Sequence, residues 1–288
     1  MSMSTIELID THVHLDDDRF DDDRDQVVAR ANASGVKSMI VPATTRQRWP
    51  RLLSIANRYS GIYTACGLHP WFLNEHTESD LTELARHIDR HPCVAIGECG
   101  LDRFCLGQQL ETRLEPGLNQ ALKKEDLFAR QLFFFETQLD IAAKADLPVI
   151  VHALQAVDDV ILSIKKSAAT QGVVHSFNGS PQQATRLIDL GYRLSFGGAV
   201  TQPRSTKIRR LVQSLPADSI LIETDAPDQT GYENRGRRNE PAYLAEVLQT
   251  VADLRGASTE SVACQCNQNA ENLFTRLTIN PNTSNPCC

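Results

Sequence analysis

His12 and His14 are separated by one residue at the end of a short β-branched run. On a strand, side chains i and i+2 leave the same face, so the two imidazoles can converge on one ion. Other residues able to hold a cation stand on further runs of the same kind: Glu98 ends the fourth, His152 ends the fifth, His175 lies within the sixth and Asp225 ends the eighth. Imidazole and carboxylate without thiolate form a donor set for zinc, manganese or magnesium. Six such groups suit two divalent cations, one carboxylate bridging them, with open positions for water and a substrate oxygen. Any one of these residues alone is as well read as a satisfied core histidine or a helix-capping carboxylate. Six of them at strand ends favour a metal centre.

The elements that must gather these residues alternate along the chain. Strands are predicted at Ile6–Thr11, Lys37–Pro42, Ile62–Gly67, Cys93–Glu98, Pro148–His152, Val173–Phe177, Arg193–Phe196 and Ile220–Thr224. Segments of helical period follow each of them, at 25–34, 48–58, 81–90, 127–145, 157–169, 181–190, 206–215 and 241–254. Eight βα units predict a TIM (β/α)8 barrel, α/β in class, in which all C-terminal strand ends meet in one bowl. An open doubly wound sheet is the alternative, but no GxGxxG follows the first strand. Residues 1–280 are expected to form one domain and 281–288 a tail. The connection 103–124 is too long for an ordinary βα loop and is either a flap at the mouth or an insertion without a role.

Composition narrows the functions. A formal charge of −7 disfavours indiscriminate attraction to polyphosphate, so any contact with nucleic acid must be local. The first residues lack the basic and apolar regions of a signal peptide, and no apolar run reaches membrane-spanning length. The eight cysteines form no CxxC pair and read as small hydrophobes in a reduced, cytoplasmic protein. The acidic run at 16–25 lacks the calcium-loop spacing and reads as a solvated loop with helix N-terminal acids. Arg204, Arg235 and Arg237 follow the seventh and eighth strands, where barrels commonly hold phosphate, and point to an anionic substrate. His76, His87 and His91 are read as surface residues of the third helix.

The strings IDTHVHLD at 9–16, GLHP at 67–70, IGECGLD at 96–102, PVIVH at 148–152, GVVHSFNGS at 172–180 and ETDAPD at 223–228 closely resemble the TatD family of metal-dependent hydrolases. The match spans essentially the whole chain, and GGAVTQPRSTKIR with ETDAPD is most similar to the family's YjjV-type branch. The resemblance implies an amidohydrolase-type barrel with a two-metal centre and deoxyribonuclease activity, often from the 3′ end. It implies that His12, His14 and Asp225 hold the first metal, that Glu98 bridges, that His152 and His175 hold the second, and that His69 orients a phosphate. Two departures concern substrate recognition: Leu154 stands where relatives carry an Arg, and 103–124 is longer than usual.

The expected chemistry is therefore hydrolysis by a water that two cations activate, with Asp225 as general base through its second oxygen and Glu98 as the other catalytic carboxylate. The substrate is DNA or a small phosphorylated molecule. A small ester, lactone or amide on the same centre is the alternative, and a binding protein with a closed structural metal is a third reading. Oligomeric state is left open, a monomer included.

Overall fold

The computed structural model describes residues 6–111 and 124–277. Eight strands form one sheet in the order of the sequence: β1 (Leu8–Asp10), β2 (Val36–Pro42), β3 (Ile62–Cys66), β4 (Ala95–Asp102), β5 (Val149–Leu154), β6 (Gly172–Val174), β7 (Tyr192–Phe196) and β8 (Ile220–Ile222). Every neighbouring pair is parallel. The strands are apolar on both faces, as they must be when helices cover the outside and packed side chains fill the inside. The fold is the expected TIM barrel.

The outer layer comprises α1 (Arg24–Ala33), α2 (Trp49–Arg58), α3 (Glu78–Arg90), α4 (Leu106–Glu111), α5 (Lys124–Ala145), α6 (Val157–Lys166), α7 (Pro181–Asp189), α8 (Thr206–Ser214), α9 (Leu244–Arg255) and α10 (Thr259–Leu273). Two of these helices were not anticipated. Helix α4 occupies the start of the long connection, whose residues 112–123 lie outside the described ones. Helix α10 is rich in Asn and Gln, which hides its apolar stripe. Its Asn267 and Asn269 are nevertheless buried, because their side chains satisfy strand ends: Asn267 accepts from Ile9 N at 3.2 Å and donates to Glu7 O at 2.8 Å, and Asn269 donates to Ala217 O and Ile220 O, both at 2.8 Å. Ala270, Leu273 and Phe274 pack with Ile9, Ile40, Ile150, Val173 and Leu221, so α10 stoppers the end of the barrel opposite the mouth.

The acidic loop before and into α1 is tied down by arginines. Asp17 pairs with Arg19 at 2.9 Å, Asp18 with Arg48 at 2.7 Å, Asp23 with Arg238 at 2.7 Å and Asp25 with Arg58 at 2.7 Å. The expected solvated loop, with Asp25 in the first turn of α1, is thus also cross-linked by ion pairs, Asp18 and Asp25 remaining 67% and 60% exposed.

Between β8 and β1 the seam is closed partly by side chains. Thr11 N donates to Ile222 O at 3.3 Å and Asp225 N to His12 O at 2.9 Å. Asp10, fully buried, accepts from Thr224 N at 3.0 Å, Thr224 Oγ1 at 2.6 Å and His12 N at 3.2 Å. This carboxylate fixes the chain on which both His12 and Asp225 ride. Replacing Asp10 by Ala leaves these buried donors without an acceptor, at roughly 1–3 kcal/mol for each group stranded. Asp10→Ala is expected to destabilise the protein by at least about 2 kcal/mol, and Asp10→Asn, which keeps an acceptor, by clearly less; denaturant unfolding monitored by circular dichroism compares them.

Candidate metal centre

Glu98 lies inside β4 where the register against β5 shifts between Ile96 and Cys99, an irregularity of the kind that re-aims a side chain. The close passage of β4 and β5 depends on Gly100. Its φ is +142°, and an added Cβ would stand 2.0 Å from the carbonyl oxygen of His152. Glu98 is 1% exposed, and five imidazoles surround its two oxygens. His175 Nε2 is 2.8 Å from Oε1, His69 Nε2 2.9 Å and His152 Nδ1 3.1 Å. His12 Nε2 lies 3.2 Å and His14 Nε2 3.4 Å from Oε2. Asp225 Oδ1 completes the group at 3.5 Å from His12 Nε2 and 3.6 Å from His14 Nε2.

Several of these contacts are poor as hydrogen bonds. The Nε2 atoms of His12 and His14 face each other at 3.3 Å, as do His152 Nδ1 and His175 Nε2 at 3.1 Å. Glu98 Oε2 and the Nδ1 atoms of His12 and His175 are buried without a well-directed partner. Nitrogen lone pairs and a carboxylate oxygen aimed into one small space are the signature of a cation site, so these residues fit divalent metal. Three overlapping sets each bring their ligand atoms within 4.8 Å of one another: His12, His14 and Asp225; His12, Glu98 and His175; His69, Glu98 and His152. Glu98 and His12 each enter two sets, and His152, whose Nδ1 is 3.1 Å from His175 Nε2, groups also with His69.

Supporting residues that sequence reasoning did not single out hold the ligands. Asp102 Oδ2 is 3.1 Å from His152 Nε2 and is itself fixed by Cys105 N at 2.9 Å. Carboxylates behind histidines of this kind set tautomer and ring orientation. Glu223, buried behind His175, accepts from Ser176 N at 2.6 Å and Ser176 Oγ at 3.0 Å. Both acids sit in the strings IGECGLD and ETDAPD, beside residues that were singled out. Gln229 donates to Asp225 Oδ2 and, at 2.8 Å, to Ser176 Oγ, linking the two sides of the centre. The second oxygen of Asp225 is therefore engaged, where it was expected to be free. Ser176, Asp225 and Gln229 all have φ between +45° and +55°, strained backbone of the type that collects at functional sites.

His69 is placed differently from expectation. Its Nδ1 accepts from Trp71 N at 3.0 Å, so Nε2 carries the proton and donates to Glu98; no N–H remains for a phosphate. Burial lowers its pKa to about 4 and keeps it neutral. His76, expected at the surface, is 3% exposed with Nε2 at 2.9 Å from His69 O. The centre opens into a cavity of about 330 Å³ lined also by Ala153, Leu154, Ser176, Asn178, Asp228 and Gln229. Arg204, Arg235 and Arg237 are exposed and are not among its lining residues; Arg235 instead lies over the Tyr232 ring at 3.8 Å. Among the described residues, Arg19, bidentate on Asp228 at 2.9 and 2.7 Å, and Lys207, which donates to Asn178 O, bring cationic groups onto lining residues.

A barrel whose strand ends converge on imidazoles and carboxylates defines the class of metal-dependent hydrolases. The chain belongs to the TatD family: the family model for TatD related DNase matches residues 9–275. It is 36% identical over 269 residues, 92% of this chain and 97% of the other, to the uncharacterized metal-dependent hydrolase YjjV of Escherichia coli. It is 32% identical to the 3′-5′ ssDNA/RNA exonuclease TatD of Salmonella typhimurium, over 93% of this chain and 98% of that protein. The crystal structure of Escherichia coli YjjV superposes with a TM-score of 0.84 at 35% identity, covering 94% of this chain and 99% of that one.

Protonation competes with cations here. Burial opposes charge on His14, but the hydrogen bond it donates to Glu98 and the charges of Glu98, Asp225 and Asp16 outweigh it and raise its pKa to about 9. Without metal His14 is thus protonated at neutral pH, and a cation must displace that proton. Affinity for manganese is expected to rise with pH until about pH 9, with proton release on binding. Isothermal titration in buffers of different ionisation enthalpy measures that release, and a pH-independent affinity would contradict it.

Proposed function

We propose that this protein is a two-metal phosphodiesterase that removes nucleotides from single-stranded nucleic acid, DNA foremost, from the 3′ end. The observation that carries the reading is the gathering of five imidazoles and Asp225 around one buried carboxylate at the floor of an open cavity. The exonuclease name of a relative 32% identical over 93% of this chain supports the substrate class. His12, His14 and Asp225 would hold one cation and His152 and His175 the other, with Glu98 between them; zinc, manganese and magnesium all suit these donors. When bound, divalent cations supply Lewis acidity toward water and toward a substrate phosphoryl oxygen.

The chain's own groups supply the rest. Asp225 is the general base that takes the proton of the attacking water and returns it to the leaving oxygen. The Gln229 amide on its second oxygen prevents rotation away from the mouth. His69, with both nitrogens engaged, holds Glu98 rather than substrate. Arg19 and Lys207 stand at the rim where a phosphate flanking the scissile bond would pass. Arg204, Arg235 and Arg237 would meet only the more distant part of a longer strand.

A second reading, hydrolysis of a small ester, lactone or amide, is favoured by one feature: the described lining of the cavity contains no Lys or Arg, and Leu154 occupies the end of β5. The two readings separate on end-labelled single-stranded DNA and a panel of esters and lactones, each assayed after chelation and after adding manganese. Release of mononucleotides from 3′ ends, abolished by chelator, is expected; turnover of small esters alone would refute the nuclease reading. Asp225→Asn is expected to lower kcat by about 10²–10⁴-fold. Glu98→Ala is expected to lose both activity and metal in elemental measurement, and wild-type turnover in that variant would show the centre to be misassigned.

A further inference from the structure

A second cluster of metal-binding side chains lies outside the mouth. Cys66 ends β3, Cys93 stands two residues before β4, and His87 belongs to α3. The two cysteines are free, 1% and 0% exposed, with their Sγ atoms 3.3 Å apart. That spacing is well beyond the about 2.05 Å of a disulfide bond. Both Sγ atoms and an imidazole nitrogen of His87 lie within 4.8 Å of one another. His87 Nε2 is buried with no hydrogen-bond partner, and its ring rests against Trp49 with centroids 4.8 Å apart. None of the three residues lines the mouth cavity.

We propose that Cys66, Cys93 and His87 bind one thiophilic divalent cation of the zinc type, in a structural site that ties α3 to β3 and β4. Loading releases two protons, one from each thiol; two thiolates and a neutral imidazole then cancel the cation's charge, so the site is buried as a neutral unit. Tetrahedral bonds of about 2.3 Å to sulfur place two sulfurs about 3.8 Å apart, so the pair observed at 3.3 Å opens by about half an ångström on loading. His91, whose ring centroid is 4.5 Å from that of His87, is the nearest further donor for a fourth position. Sulfur separates this site chemically from the mouth, whose donors are imidazole and carboxylate alone.

Cobalt tests the assignment, since only a thiolate ligand gives a sulfur-to-cobalt charge-transfer band in the near ultraviolet. The full chain, stripped with chelator and reductant and titrated with cobalt, is expected to show the band. The band should persist in His14→Ala, which alters only the mouth, and vanish in Cys93→Ser. His87→Gln should weaken cobalt binding at this band by more than the about 10–100-fold that loss of an outer-shell partner costs. Absence of the band in the wild type at excess cobalt would overturn the proposal, as would its survival in the Cys66→Ser, Cys93→Ser double variant. A Cys66 to Cys93 disulfide found by mass spectrometry in freshly purified protein would overturn it too. Should the serine variants fail to fold, His87→Gln decides, and unchanged cobalt affinity in it would overturn the site.

Discussion

A carboxylate that is 1% exposed at the floor of a barrel governs this molecule. Taking a charged carboxyl from water into protein costs several kcal/mol unless partners compensate it. Glu98 obtains that compensation from imidazoles on four different segments, and their influence holds its pKa well below the ordinary carboxylate range despite burial. The same constraint runs in reverse. The histidines approach one another to 3.1–3.3 Å between ring nitrogens, so each such pair needs a proton or a cation between its two lone pairs. Metal affinity and proton affinity are therefore two readings of one electrostatic arrangement.

Holding that arrangement requires rigidity at the strand ends, and much of the surrounding polar structure serves it. Asp10 locks the His12 main chain to Thr224 across the β8 to β1 seam. Asp102 and Glu223 stand behind His152 and beside His175, while Gln229 ties Asp225 to Ser176. At the opposite end of the barrel, the buried amides of α10 satisfy the free backbone groups of β1 and β8. The surface ion pairs of the acidic loop contribute little stability singly, but they anchor the chain that carries Arg19 to the rim.

Fold and centre were legible to different depths. The alternation of strand and helix periods placed all eight strands, because apolar strands covered on both faces leave an unbroken signal. It did not reveal α10, whose buried Asn267 and Asn269 resemble surface residues until the strand ends they cap are known. His76 was misread for the same reason, since an imidazole near a helix start carries no mark of the backbone oxygen it contacts. Most pairs of the acidic loop were not legible, because beyond the local Asp17–Arg19 pair its partners Arg48, Arg58 and Arg238 lie far along the chain.

Sequence alone determined the strand order, the barrel and the residue types of the candidate centre, since these follow from local periodicity and from residue chemistry at strand ends. Only tertiary structure decided how the ligands share one another, which acids stand behind them, that Gln229 occupies the second oxygen of Asp225, and which cations reach the rim. Apart from the Gln229 contact, which spans four residues, those are distances of a few ångströms between segments separated by tens to hundreds of residues, and all depend on strand register and backbone turns that side-chain patterning does not encode. The meeting of Cys66, Cys93 and His87 is of the same kind: as residues in a string they are two small apolar positions and a helix-surface histidine, and only the path of the chain from α3 into β4 beside the end of β3 makes them neighbours.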